Sequence, residues 1–91
     1  MFANLHFKDL FETVRKIAEM RAAVAADISQ AIEAYQAFPC DNNYAYARGL
    51  VTGCWITGAI ELADFNTYNE QLHALFNAEL NRKYPTAKVS A

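Results

Sequence analysis

The sequence predicts an all-α fold in which a long N-terminal helix packs against two shorter helices, as a three-helix bundle that self-associates. First, neither glycine nor proline occurs between residues 4 and 38, where apolar residues recur every three or four positions. Second, Pro39 and Gly58 divide the rest of the chain into two further segments with helical spacing. Third, 54% of the 91 residues are hydrophobic and 13% are aromatic, more than a small monomer readily covers. No strand is predicted.

The first element is a helix from about residue 4 to about residue 38, because this stretch lacks helix breakers and is rich in alanine. Its apolar seam alternates steps of three and four residues and consists of Phe7, Leu10, Val14, Ile17, Val24, Ile28, Ala31, Tyr35 and Phe38. A second row on one side of the seam consists of Phe11, Ala18, Ala25 and Ile32. A period of about 3.5 residues sustained over this length predicts packing at a shallow angle against another helix.

Arg21 is the one residue that interrupts this seam. In one interpretation, its long side chain reaches out of the seam and its guanidinium group is solvated. In the other, it pairs with an acidic residue of a facing helix and helps to set the register of packing.

The second element follows the break at "FPCDNN", residues 38–43, where Pro39 ends the first helix. Asp41 or Asn42 is suited to the N-cap of a helix from about residue 43 to about residue 57. Between Arg48 and Glu61 the chain carries no charge, which predicts a helix packed on more than one side. Gly49 and Gly53 share one face, where small residues allow the close approach of another backbone.

The third element begins after Gly58, which is suited to the left-handed residue that closes the second helix. Asp64 is expected in its first turn, near the positive end of the helix dipole. Apolar residues then continue at helical spacing to about Arg82, and Pro85 ends the helix. The sequence therefore predicts one helical domain over residues 1–84 and a flexible tail over residues 85–91.

Composition and charge favour a cytoplasmic protein. The two cysteines belong to no metal-binding pattern and are too few for a disulfide scaffold, which indicates free thiols in a reducing compartment. The first residues lack the basic and apolar blocks of a signal peptide, and the uncharged run around Trp55 is too short to span a membrane. Residues 22–81 carry seven acidic residues and one basic residue, Arg48, so an acidic face is expected.

No enzymatic constellation is recognisable, and we expect neither a catalytic residue, a metal site nor a cofactor. His6 and His73 belong to no ligand motif. Glu70 precedes His73 by three residues and could form an acid–base pair with it, although a local hydrogen bond is the commoner arrangement. The chain contains no phosphate-binding loop and no nucleophile motif.

A protein partner, with a homodimer as the simplest case, is the function class that the surplus of apolar residues favours. The residues expected at a partner or dimer interface are Tyr35, Phe38, Tyr44, Tyr46, Gly49, Gly53, Trp55 and Ile56. The aromatic members could equally close one end of the core. The alternative is a small nucleic-acid-associated regulator, although the net charge of −2 opposes it. Its contacts would be Arg15, Lys16, Arg21, Arg82 and Lys83, provided that the third helix brings the last two near the first three.

Residues 48–76 resemble the short helix–turn–helix elements that serve as interaction or oligomerisation modules in small bacterial and bacteriophage proteins. The resemblance is carried by Gly58, Ile60, Asp64 and Phe65, while Glu61 stands where such elements usually have serine, threonine or aspartate. It implies an interaction or oligomerisation module. Compact, acidic, cysteine-poor chains of this length are typical of mobile-element accessory proteins, including inhibitors of host defence complexes, so we expect a non-enzymatic inhibitor or adaptor from a mobile element that acts on a host complex.

Overall fold

The described residues form three α-helices: α1 is Phe2–Ala37, α2 is Asp41–Ile56 and α3 is Leu62–Lys83. The computed structural model describes the backbone of residues 2–85 and the side chains of residues 8–85. The all-α prediction is confirmed, with a long first helix and two shorter ones. The tail expected over residues 85–91 lies outside the described residues from position 86 onward.

The break between α1 and α2 lies at Pro39, as predicted, but the capping differs from the expectation. Cys40 occupies the N-cap of α2 and makes no side-chain hydrogen bond, whereas Asp41 lies in the first turn. Asn43 instead caps the end of α1: its Nδ2 donates to the carbonyl oxygens of Phe38 at 2.9 Å and Ala34 at 3.4 Å. The predicted capping by Asp41 or Asn42 was wrong because α2 starts two residues earlier, which turns the Asn43 amide back toward unpaired carbonyls.

Gly58 ends α2 in the left-handed conformation, with φ +81°, as the sequence predicts. The amides of Gly58 and Ala59 donate to the carbonyls of Trp55 and Cys54, at 3.0 and 2.8 Å. This is the paired hydrogen-bond pattern with which glycine commonly ends a helix. At the start of α3, the Asp64 carboxylate accepts a hydrogen bond from the Glu61 amide at 3.3 Å. The chain therefore reverses direction between α2 and α3.

The core lies where α2 packs between α1 and α3, so the prediction that α2 is packed on two sides is confirmed. The fully or nearly buried residues are Ile28, Ala31, Ile32, Tyr35, Ala47, Val51 and Leu72. All four of the α1 members come from its C-terminal half.

α3 does not continue along α1, as an end-to-end arrangement of the two short helices would require. The turn before α3 lies beside Arg21 and Ala25, and the end of α3 lies beside Tyr35 and Pro39. α3 thus folds back antiparallel to α2, and both short helices accompany the same half of α1. The molecule measures 72 × 23 × 14 Å, and the N-terminal half of α1 extends beyond the packed helices.

Candidate interaction surface

The N-terminal half of α1 exposes a continuous row of large apolar side chains. We call this surface the α1 face and define it by Leu10, Phe11, Val14, Ile17 and Met20. Between 42% and 69% of the surface of each of these residues is exposed to solvent. Monomeric proteins seldom expose contiguous apolar surface of this kind, and such surface is typical of interaction sites.

The α1 face is the same side of the helix that forms the core in the C-terminal half. Eighteen residues make five turns of an α-helix, so residues eighteen apart have the same direction from the axis. Leu10 corresponds in this way to Ile28, and Val14 to Ile32, yet Ile28 and Ile32 are only 0% and 3% exposed. The α1 face is therefore exposed because no described helix covers it.

Charged side chains keep to the opposite side of this part of α1. Between residues 8 and 20 they are Lys8, Asp9, Glu12, Arg15, Lys16 and Glu19. Three are basic and three are acidic, so the segment is neutral. Glu12 and Arg15 form an exposed ion pair at 3.4 Å on this outer side. A helix approaching the α1 face would accordingly desolvate apolar side chains and leave these charges in water.

Arg21 marks the boundary between the two halves of α1. Its side chain is exposed and lines a small cavity of about 130 Å³ together with Ile60, Glu61 and Asp64. Among the described residues, no carboxylate lies within 4.0 Å of the guanidinium group, which agrees with the solvated interpretation rather than with a seam ion pair.

The outer side of α2 carries four of the residues that the sequence predicts at an interface. Tyr46, Gly49, Gly53 and Ile56 are all exposed on it. A Cβ atom added to either glycine would meet nothing within 4 Å, so no other described helix approaches them closely. Close packing of a second chain against these glycines stays a prediction.

The predicted aromatic residues at the α1–α2 break divide between core and surface. Tyr35 is buried, and Tyr44 lies between it and Phe76, with ring centroids 5.2 and 4.8 Å apart. Burial raises the pKa of the Tyr35 hydroxyl, and the nearby negative charge of Glu79 raises it further. Phe38 is exposed. Tyr35 and Tyr44 therefore close the end of the core in this chain.

Trp55 is only partly covered by the rest of the chain. Its ring stacks on that of Phe65 with centroids 4.4 Å apart and an interplanar angle of 23°, and the residue is 40% exposed. The sequence predicts packing on more than one side of α2, and at Trp55 this packing comes from Phe65 of α3.

The basic residues that the nucleic-acid alternative requires do not come together. Lys83 lies beside Tyr35 at one end of the packed helices, whereas Arg21 lies beside the α2–α3 turn at the other. Fourteen residues of α1 separate these two ends, a distance of about 21 Å at 1.5 Å per residue. Arg82 is hydrogen-bonded to Glu79: its Nε donates to the two carboxylate oxygens, Oε1 at 3.2 Å and Oε2 at 3.1 Å.

A polar groove between α2 and α3 was not recognised from the sequence as a unit. Its volume is about 610 Å³, and it is lined by Tyr44, Arg48, Asn66, Asn69, Glu70, His73, Ala74 and Asn77. The Arg48 guanidinium carbon lies 5.9 Å from the centre of the Tyr44 ring. The Asn69 Oδ1 atom is buried without a hydrogen-bond donor among the described residues. The asparagines at helical spacing on α3 were the available signal for this groove.

Within the part of the chain that the structure describes, no three His, Cys, Asp or Glu side chains come together in a way that could hold a metal ion. No helix in the same part of the chain combines the length and the apolar character needed to cross a bilayer.

No protein-family model, curated protein or solved structure matches this chain. The resemblance of residues 48–76 to helix–turn–helix interaction modules stays a prediction. Among the described residues, the α1 face groups five exposed large apolar side chains on one helix.

Proposed function

We propose that this protein is a non-enzymatic interaction module whose α1 face packs against a helix of another polypeptide. The observation that supports this proposal is the exposure of five large apolar side chains on one side of a continuous helix. Full burial of one such side chain contributes about 1.5–3 kcal/mol, so covering the face would supply much of the free energy of a stable complex.

The stability of the helix itself supports the same proposal. The part of α1 before the α2–α3 turn receives no tertiary packing from the described residues. Isolated helices of about 15–20 residues are marginally stable in water, because most helical stability in proteins comes from packing. A partner helix on the α1 face would provide that packing.

Photo-crosslinking tests whether the α1 face contacts protein. A photoreactive phenylalanine analogue is placed at Phe11 in the α1 face or, as the control, at Glu12 on the outer side of the same turn. After irradiation in cells that produce the protein, we expect protein adducts from position 11 and few from position 12. Equal adduct yields at the two positions, or none from either, would contradict the proposal.

The identity of the adduct decides which form the interaction takes. An adduct with a host protein corresponds to the inhibitor or adaptor that the sequence predicts, and an adduct of twice the chain mass corresponds to self-association. No observation favours the nucleic-acid alternative, because the structure separates the basic residues that it needs.

A further inference from the structure

We propose that a second copy of this chain covers the α1 face, with the two N-terminal halves antiparallel and Leu10 of each copy opposite Val14 of the other. This inference rests on the proposed function and specifies its partner. Three properties of the described chain carry it: the charge pattern around the α1 face, the position of α2 on α1, and the position of the α2–α3 turn.

The charge pattern makes the face complementary to itself. A two-fold symmetric dimer uses the same surface on both copies, so every charged residue of that surface enters the contact twice. Leu10, Val14 and Ile17 occupy the seam positions, and the positions that flank the seam hold Phe11, Thr13, Ala18 and Met20. None of these residues is charged, and the outer side of the segment is neutral. Arg21, the one charged residue of the seam, lies at the end of the contact, so the two Arg21 residues of the antiparallel pair are about 27 Å apart along the axis. Two copies therefore meet without electrostatic repulsion.

The position of α2 excludes a parallel pair. α2 covers the same side of α1 as the α1 face, but farther along the helix, where Ile28 and Ile32 are buried. In a parallel pair, the second copy's α1 would continue past Arg21 into the space that α2 occupies, since α1 is one unbroken helix to Ala37. In an antiparallel pair, the second copy's α1 runs instead away from the packed helices of the first copy.

The α2–α3 turn fixes the register of the antiparallel pair. Interlocking side chains allow only registers that differ by seven residues. When Leu10 lies opposite Val14, residue 2 at the N-terminal end of the second copy's α1 lies opposite Ala22. This position is next to the turn at Ala59 and Ile60. If the second copy is shifted by seven residues toward the packed helices, the N-terminal end of its α1 clashes with the turn. If it is shifted by seven residues in the opposite direction, Ile17 is left uncovered.

Sedimentation equilibrium of the full chain tests the partner. We expect a dimer at tens of micromolar and a dissociation constant raised at least about 100-fold in the Val14→Glu/Ile17→Glu variant, because both substitutions place charge in the contact. The matched control, Ala23→Glu/Ala26→Glu, adds the same charge to the outer side of the same helix and is expected to remain dimeric. Circular dichroism checks that both variants keep their helical content.

Pulsed electron spin resonance tests the arrangement. Cys40 and Cys54 are replaced by serine and alanine, and one spin label is attached at position 12, 19 or 26, three sites that share the outer side of α1. In the proposed register, the axial separation between the two labels is near zero at position 12. It grows by about 21 Å with each seven-residue step, since both labels move away from the two-fold axis.

Each possible result bears on the proposal. Label distances that are equal at the three positions would indicate a parallel pair, and equal distances at positions 12 and 19 would indicate a shifted register; either would overturn the arrangement. A dimer that survives Val14→Glu/Ile17→Glu, as one formed through Gly49 and Gly53 would, overturns the inference. A strict monomer at 100 micromolar also overturns it. In that case a heterologous adduct from position 11 would still support the proposed function, and the absence of any adduct would contradict both.

Discussion

Residues 10–20 and residues 24–35 of α1 belong to one uninterrupted helix and carry the same spacing of apolar side chains, but only the second stretch is packed. Leu10 and Ile28 have the same direction from the helix axis, and one is 57% exposed while the other is completely buried. The comparison shows that periodicity identifies which side of a helix is apolar, whereas the path of the rest of the chain decides how much of that side is buried.

The largest expected difference between the two halves is in the effect of truncating these two residues. Ile28→Ala should lower the free energy of unfolding by about 2–5 kcal/mol, because it leaves a cavity between α1 and α2. Leu10→Ala should change it by less than about 0.5 kcal/mol at concentrations where the protein is monomeric. Urea denaturation monitored by circular dichroism measures both.

The Leu10→Ala result also has a concentration dependence. At concentrations where the dimer forms, the variant should lose stability relative to the wild type, since binding stabilises the folded state. Equal losses from Leu10→Ala and Ile28→Ala in dilute protein would show that residues 10–20 are packed within the monomer, contrary to the structure.

Trp55 provides the second test. Its side chain is partly covered, whereas Leu10 is exposed and Ile28 is buried. Trp55→Ala should cost about 1–3 kcal/mol, less than the 3–5 kcal/mol expected for a fully buried ring. A double-mutant cycle with Phe65→Ala should give a coupling energy of about 0.5–1.5 kcal/mol for the stacked pair. Ile56→Ala, at a neighbouring residue that is 72% exposed, serves as the control. A coupling energy near zero would contradict the stacking at 4.4 Å.

How much of this arrangement the sequence predicts depends on the range of the interactions involved. The α1 seam, the break at Pro39 and the left-handed Gly58 are set by neighbouring residues, and all three were predicted. The direction of α3 was not predicted, because it depends on the turn at residues 57–61 and on contacts across it, such as the stacking of Trp55 on Phe65. Leu10 and Val14 were therefore recognised as apolar seam residues but not as an exposed face.

The interface residues chosen from the sequence show the same limit. Tyr35 and Tyr44 were candidates on account of their aromatic character, and the structure places them against one another at the end of the core. Helical spacing alone gives no means of distinguishing an apolar residue covered by its own chain from one left for another chain.

The three glycines give the next smaller effects, and they should differ in sign. Gly58→Ala should destabilise by about 1–2 kcal/mol, because φ +81° is unfavourable for a residue with a Cβ atom. Gly49→Ala and Gly53→Ala should each stabilise the isolated chain by about 0.5–1 kcal/mol, since both lie within α2 and face open space. Thermal denaturation distinguishes the two outcomes.

Gly53→Leu sharpens this test. Leucine at this position would block the close approach of another backbone that the sequence predicts, whereas within the single chain a Cβ atom at Gly53 meets nothing within 4 Å. A dimer that persists in Gly53→Leu would agree with association through the α1 face. Loss of the dimer in this variant would locate the contact on α2 instead.

The smallest effect concerns two ion pairs with the same spacing, one in each region. Glu79 and Arg82 lie on packed α3, and Glu12 and Arg15 lie on the unpacked half of α1. The hydrogen bonds from Arg82 hold the pKa of Glu79 below its ordinary value. A lowered pKa in the folded state means a stabilising contribution that is present above the pKa of the unfolded chain and is lost as pH falls through the folded-state pKa.

Arg82→Gln should therefore raise the pKa of Glu79 and move acid unfolding to slightly higher pH. Arg15→Gln should leave the acid unfolding profile unchanged, because the single contact at 3.4 Å between Arg15 and Glu12 is exposed to solvent and lies where no tertiary packing is lost. Carboxyl chemical shifts followed by NMR between pH 2 and 7 report the Glu79 titration, and circular dichroism reports unfolding over the same range. If Glu79 titrates at the same pH with and without Arg82, the pair contributes nothing to the packed region, and burial rather than charge accounts for the whole difference between the two halves of the molecule.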